Sequence, residues 1–397
     1  MSRNLKFLFL IEGFAGLSRG SFLVCIGWTT LMISDDVAKV GQVFIIAMLT
    51  NLLAGPVLGV LVDRYDRKTL AIIAHCLIAV TLAAMAAALT FGNNASVLGI
   101  GLVVVVVSLA RLMYHLSHDG LIHANVETAD LGRRIAQFRT MHLLAVALGT
   151  MVAGLVIEQS SPAMSFGFSS LMSVMLIAPL IGVASAGPTA KRAGGIAGFK
   201  SDFLGGLALA MTNKAIRNLA ILAAIALPVG QLSNAIMPGF IREDLGFGGD
   251  IFGLVDSGWP IGGMLAALTL SFGFRSLARN NLEYVFSALA GLATVVLSIT
   301  ASIAFLLVLH ALMGYFVWLC RITIDARVLT ACRTENVGRS KVIIEMTFSL
   351  SALIMCISPT LIKLENASGY FTAWGLFIVC GSALAFLLRR KQSDFSS

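Results

Sequence analysis

Residues Gly59–Leu70 read GVLVDRYDRKTL, an apolar run that meets five charges in the six positions 63–68 and then turns apolar again. The stretch before it, VGQVFIIAMLTNLLAGPVL, and the stretch after it, AIIAHCLIAVTLAAMAAAL, are each long enough to cross a bilayer, which takes about 20 mostly apolar residues. The quoted segment is therefore a tight charged turn between two spanning helices. Working outward, the same alternation of long apolar runs and short polar breaks covers the chain. Of its 397 residues 58% are hydrophobic and only 12% charged, with a mean hydropathy of +0.91. Soluble domains carry roughly a quarter charged residues, so the chain is a polytopic, all-α membrane protein without room for a large soluble domain.

Breaking the runs at charged, Gly, Pro and Asn clusters predicts twelve helices: near 5–33, 40–62, 69–91, 96–118, 134–157 and 163–184, then near 216–239, 250–273, 282–301, 303–328, 340–362 and 369–388. The first run contains Glu12 and Arg19 and no small-residue cleavage site, so it is expected to stay as a helix. With the N-terminus in the cytoplasm, 22 Lys and Arg fall on that side and only Lys39, Arg242 and Lys363 opposite. Positive charge collects on cytoplasmic loops, so both termini are expected inside. The formal charge of +8 is thus topological and calls for no nucleic-acid partner. Segments 1–184 and 216–397 form two halves, joined by a Gly-rich basic linker over 185–215, where Phe203, Leu207 and Met211 are spaced for a helix lying on the membrane surface. The six cysteines make no CxxC pair, which leaves neither a disulfide framework nor a metal site to expect.

The quoted loop resembles the signature of major facilitator superfamily transporters, G-x-L-x-D-R-x-x-R-K, at Gly59, Leu61, Asp63, Arg64, Arg67 and Lys68. Its D-R-Y-D-R-K form, together with LIHANVETADLGRRIAQFRTMHLLAVALGTMVAGLVIE over 121–158, is similar to a bacterial exporter branch that includes enterobactin and macrolide exporters. Asp66 stands where family proteins commonly have Gly. The resemblance implies two pseudo-symmetric six-helix bundles in a bacterial inner membrane, with the first, fourth, seventh and tenth helices around a central cavity. It also implies a monomer that moves a small molecule by alternating access, and a gating role for the loop. Asp119 and Glu345 are placed to meet the bases of that loop. Independently, a glycine at position 59 allows two helices to approach closely, and the loop's charges can pair with neighbouring helix ends.

Ionisable groups inside spanning segments cost at least about 2.5 kcal/mol each and mark functional positions. Glu12 and Arg111 lie at similar predicted depths and are placed to pair, which makes Glu12 a candidate proton carrier with Arg111 beside it; a permanent structural ion pair is the competing reading. Arg111, His115 and His118 follow i, i+4, i+7 spacing on one face, where a histidine, His115 first, is a candidate proton relay, or an interfacial histidine. Arg19, Arg111, Arg321 and Asp325 are candidate substrate residues; Arg321 and Asp325 are also spaced to pair with each other. Asp256 precedes SGWPIGG, where a helix can bend, and is expected at a gate or rim. No phosphate loop, catalytic triad or metal-ligand spacing appears, so neither an enzyme nor a cofactor is expected. The reading is a proton-coupled exporter of a small organic anion such as a siderophore or carboxylate. Multidrug efflux of amphiphiles, or import on the same fold, are the alternatives.

Overall fold

A computed structural model describes residues 3–92, 96–127, 130–185, 207, 212–271, 282–331 and 337–394. Most of the 185–215 linker, including Phe203 and Met211, lies outside them, and so does the side chain of Asp63. Every element among the described residues is helical. In chain order these are α1 (Arg3–Ser34), α2 (Val37–Arg64), α3 (Arg67–Phe91), α4 (Val97–Asn125), α5 (Leu131–Gln159) and α6 (Pro162–Gly182). Then come α7 (Lys214–Ala226), α8 (Val229–Gly239), a π-turn at Phe240–Asp244, α9 (Gly249–Asp256) and α10 (Gly258–Ser271). The last four are α11 (Leu282–Ser298), α12 (Ile303–Ala331), α13 (Val337–Leu361) and α14 (Ala367–Asp394). Among the described residues eleven stretches are long and apolar enough to span a membrane, counting Lys214–Asp244 and Gly249–Leu270 once each, and Leu282–Ser298 is a shorter apolar helix.

The chain divides into two compact units, one of residues 1–196 with 246–257 and one of 197–245 with 258–397. Segment 246–257, expected with the second half, groups with the first.

In the first unit, α1 is the buried axis. Its glycines set the crossing with α5: a Cβ at Gly20 would overlap the Val146 carbonyl oxygen, and one at Gly16 would lie 2.7 Å from Ala145 Cβ. Close backbone approach through small residues is how helices associate in lipid. Against α6, α1 uses hydroxyls: Ser18 and Ser173 share a 2.8 Å bond, and Ser169 donates to the Ser18 carbonyl at 3.0 Å. Segment 249–256 packs on α5 where Gly154 faces Gly253, with Trp28 stacked on Phe252 at 5.5 Å. Glu158 caps this segment by accepting from the Gly249 amide at 2.8 Å.

In the second unit, α11 packs on α14 through Ser287 and Ser382 at 2.5 Å, and α10 meets α12 at Gly262 and Gly314. Asp244 accepts from the Ala367 and Ser368 amides at 3.0 and 2.6 Å, satisfying donors at the start of α14.

Gly59 corrects the reading of the signature turn. Its Cβ position has open space within 4 Å, so this glycine is not at a tight helix crossing. Asp66 is explained instead. It is the N-cap of α3, accepting from the Thr69 amide at 2.9 Å and the Thr69 hydroxyl at 2.7 Å, and it also accepts from Ser185. Partial burial pushes its carboxyl up, but the bonds from Ser185 and Thr69 outweigh that and hold it below the ordinary carboxylate range. Its contribution to stability is therefore present above the unfolded-state value and fades as pH falls through the folded one. Replacing Asp66 by Ala is expected to cost about 1 kcal/mol, read as a lower thermal midpoint near neutral pH that converges with wild type in acid.

Candidate functional site

Glu12 stands nine residues into α1, His118 seven residues before the end of α4 and His142 eleven residues into α5. At about 1.5 Å per residue these are comparable depths. The side chains meet: Glu12 Oε1 lies 2.9 Å from His118 Nε2, and Oε2 lies 3.0 Å from His142 Nδ1. All three are buried. A carboxylate so deep requires compensation, and two imidazoles supply it. This differs from the sequence expectation, which placed Arg111 beside Glu12. The reason is the length of α4. It continues through HDGLIHAN to Asn125 rather than stopping near residue 118, and Asn125 is tied to Asn4 at 2.9 Å and to the Ala184 carbonyl at 3.1 Å.

Arg111 consequently lies fourteen residues from the end of α4, or about 21 Å. Its Nη2 donates to the Ser18 carbonyl at 3.0 Å and its guanidinium carbon sits 4.8 Å from the centre of the Phe22 ring. Arg19, sixteen residues into α1, is at matching depth. Heptad spacing stacks the two layers, with Arg19 seven residues after Glu12 and Arg111 seven before His118, on helices that alternate in direction. Among the described residues neither arginine is paired with an acid. Arg19 is exposed in mid-span, and a charge there faces water within the protein rather than lipid. Arg139, on α5, lies within electrostatic reach of Arg19 and adds a third positive charge.

The second unit treats its charges differently. Arg321 is held by Asp325 at 3.5 Å and by Glu345, so this cation is neutralised within its own unit. Arg327 meets the fully buried Glu283 at 2.8 Å, an ion pair the sequence reading missed because Glu283 stands at the very start of its span. Also unforeseen is buried His310, 2.8 Å from the Ser233 hydroxyl.

The remaining candidates are peripheral to these layers. His115 is half-buried beside Tyr114, 5.6 Å between ring centres, and does not touch Glu12. Asp256 is the buried last residue of α9, at the helix break that SGWPIGG led us to expect. Lys68 donates to the Ile181 carbonyl at 2.6 Å, Arg67 lies over Gly120, Asp119 is exposed beside them, and Arg64 is exposed at the end of α2. Bases at the carboxyl end of a helix complement its dipole. No group of three His, Cys, Asp or Glu side chains among the described residues is arranged to hold a metal ion.

The sequence model of the Major Facilitator Superfamily matches residues 8–356. No curated protein matches. Among solved structures, that of the nucleoside transporter NupG superposes with a TM-score of 0.77 at 18% identity, covering 98% of this chain and 99% of that one. That of an auto inhibited POT family peptide transporter gives 0.69 at 14% identity, covering 98% and 97%. The likeness runs over nearly the whole of each chain and is one of fold. The chain belongs to the Major Facilitator Superfamily.

Proposed function

We propose that this transporter moves a small organic anion, such as a siderophore or carboxylate metabolite, out of a bacterial cytoplasm in a proton-coupled cycle, with both termini inside. Arg19 and Arg111 bind the anion, and Glu12 with His118 and His142 carries the proton. The observation supporting this most is the layering: two mid-span arginines without an acidic partner, directly above a buried carboxylate shared by two imidazoles. A pair of uncompensated cations repels a cationic drug and attracts a carboxylate, whereas the corresponding cation of the second unit, Arg321, is already neutralised. Export suits an anion energetically, because a membrane potential negative inside drives each negative charge outward by about 2.3 kcal/mol per 100 mV. The signature turn supports the same direction through its resemblance to an exporter branch. Gating roles for Arg64, Arg67, Lys68, Asp119 and Asp256 belong to this proposal.

A second reading, uptake by proton symport, is favoured by one feature. Protonating the Glu12 cluster adds positive charge one layer from the arginines, which strengthens anion binding, and ligands that bind together travel together. Binding is tested on purified protein by ligand-induced thermal stabilisation with citrate, succinate, acetate and a quaternary ammonium compound. At least one carboxylate should stabilise the protein, and Arg19→Gln and Arg111→Gln should each weaken that effect about tenfold or more, the loss of one charge-assisted bond. Stabilisation by the quaternary ammonium alone would overturn the anion assignment.

A further inference from the structure

Behind His118, between α3 and α4, lies a group of polar side chains that the site described above does not use. Tyr114, Ser117 and His118 share one face of α4, and His75 of α3 meets it: His75 stands edge-on to the Tyr114 ring at 4.4 Å, and Tyr114 stacks on His118 at 5.1 Å. His75 and Tyr114 are 3% exposed, His118 4% and Ser117 0%. Yet both ring nitrogens of His75, the Tyr114 hydroxyl, the Ser117 hydroxyl and His118 Nδ1 have no protein hydrogen-bond partner. An unmade bond to a buried polar atom costs about 1–3 kcal/mol. Five such atoms in one place are not tolerated dry, and buried water with 2–4 polar partners is the usual resolution.

We propose that this cluster is a hydrated annex of the proton site, in which His75 is a second proton acceptor reached from Glu12 through His118 and bound water. It rests on the reading of Glu12 as the proton carrier. A proton leaving Glu12 Oε1 lands on His118 Nε2, and the imidazolium releases its Nδ1 proton to the water. The water passes one proton to a free nitrogen of His75, so the chain ends with His75 charged and Glu12 ready for another proton. Other ionisable groups around the annex are Arg19 on α1, Arg111, His115 and Asp119 on α4, and Arg139 and His142 on α5. The spanning part of α6, Pro162–Gly182, carries no ionisable side chain. Arg111 and His118 lie within electrostatic reach of His75, so the annex fills only when the layer around it has room for another positive charge, as when an anion occupies the arginines. On the uptake reading, two protons would then accompany each anion.

Two measurements test this on full-length protein in lipid nanodiscs. Radiolytic hydroxyl footprinting of the wild type should oxidise His75 and Tyr114 about tenfold faster than Phe166, which is equally inaccessible at 0% exposure but has no polar atom to hold water. Protection of both residues to the level of Phe166 overturns the proposal without any substitution. Proton uptake is then counted in weakly buffered indicator solution, with the carboxylate that stabilises the protein present at saturation and its own titration subtracted, as the protein is taken from about pH 9 to pH 5, the range that spans histidine titration. Glu12→Gln, which removes the charge that favours a proton on the neighbouring imidazoles, and His75→Phe should each bind about one proton fewer than wild type, and Tyr114→Phe, which keeps the rings, should bind as many. Normal uptake by His75→Phe with a deficit in Glu12→Gln removes the annex and leaves the primary site standing. Normal uptake by Glu12→Gln removes the proton-coupling reading itself.

Discussion

A Glu12→Gln transporter, reconstituted in proteoliposomes, should exchange its substrate across the membrane yet fail to accumulate it against a gradient when a pH difference is imposed. The carboxylate is buried, with imidazole nitrogens of α4 and α5 at 2.9 and 3.0 Å from its two oxygens. Glutamine keeps the length and one acceptor but cannot take up or release a proton. Loss of water as the site closes favours neutral forms, whereas the two imidazoles and the arginine layer favour the carboxylate. A conformational cycle that alternates between these influences gains and loses a proton, and that alternation is the coupling. The accumulation ratio should therefore fall to about one while exchange stays within about threefold of wild type, the expected outcome when the shape of the site is preserved and its proton is lost. Concentrative transport by this variant on a pH gradient would remove Glu12 from the mechanism.

Gly20→Leu should have the largest effect on stability. A Cβ at this position would overlap the Val146 carbonyl oxygen and lie 3.0 Å from the Thr150 amide nitrogen, both of them backbone atoms that cannot swing aside. Relieving the clash means separating α1 from α5, the pair that brings Glu12 to His142. Overpacking costs typically 1–3 kcal/mol, and a clash with backbone belongs at or beyond the upper end. Thermal unfolding in detergent should show a large fall in midpoint or no folded yield. Gly167→Leu serves as control, since nothing lies within 4 Å of its Cβ position, and it should unfold with the wild type.

Several features were legible because they follow from solvent and charge. Helix number and type follow from the length of the apolar runs, and the family from a turn whose glycine, acid and bases keep fixed spacing. The break after Asp256 follows from Ser-Gly-Trp-Pro, where backbone hydrogen bonding is interrupted. What failed was depth. The polar residues His118, Asp119 and His123 look like the start of a loop, but α4 extends beyond the apolar run through them, held by Asn125. That one displacement moved Arg111 away from Glu12 and brought His118 to it. His142 and His75 were unlit because a single histidine in an apolar run carries no periodic signal; only the packing of α5 on α1 and of α3 on α4 reveals their partners. The role of Gly59 was inferred from its place in the signature spacing and from the space a glycine leaves between helices, and the residue faces open space. Asp66, by contrast, departs from the common pattern for a local reason that any N-cap provides, a carboxylate on the first free amides of a helix.

The central claim, that anion movement and proton movement are linked through Glu12 and the arginine layer, is tested most directly by recording pH inside proteoliposomes loaded with an entrapped indicator dye. Mono-, di- and tricarboxylates and a catecholate are added in turn to wild type, Glu12→Gln and Arg19→Gln. At least one anion should drive a pH change in the wild type that both variants lose, with its sign reporting antiport or symport. A pH change driven only by cationic amphiphiles, or an anion-driven change that survives in both variants, would contradict the account.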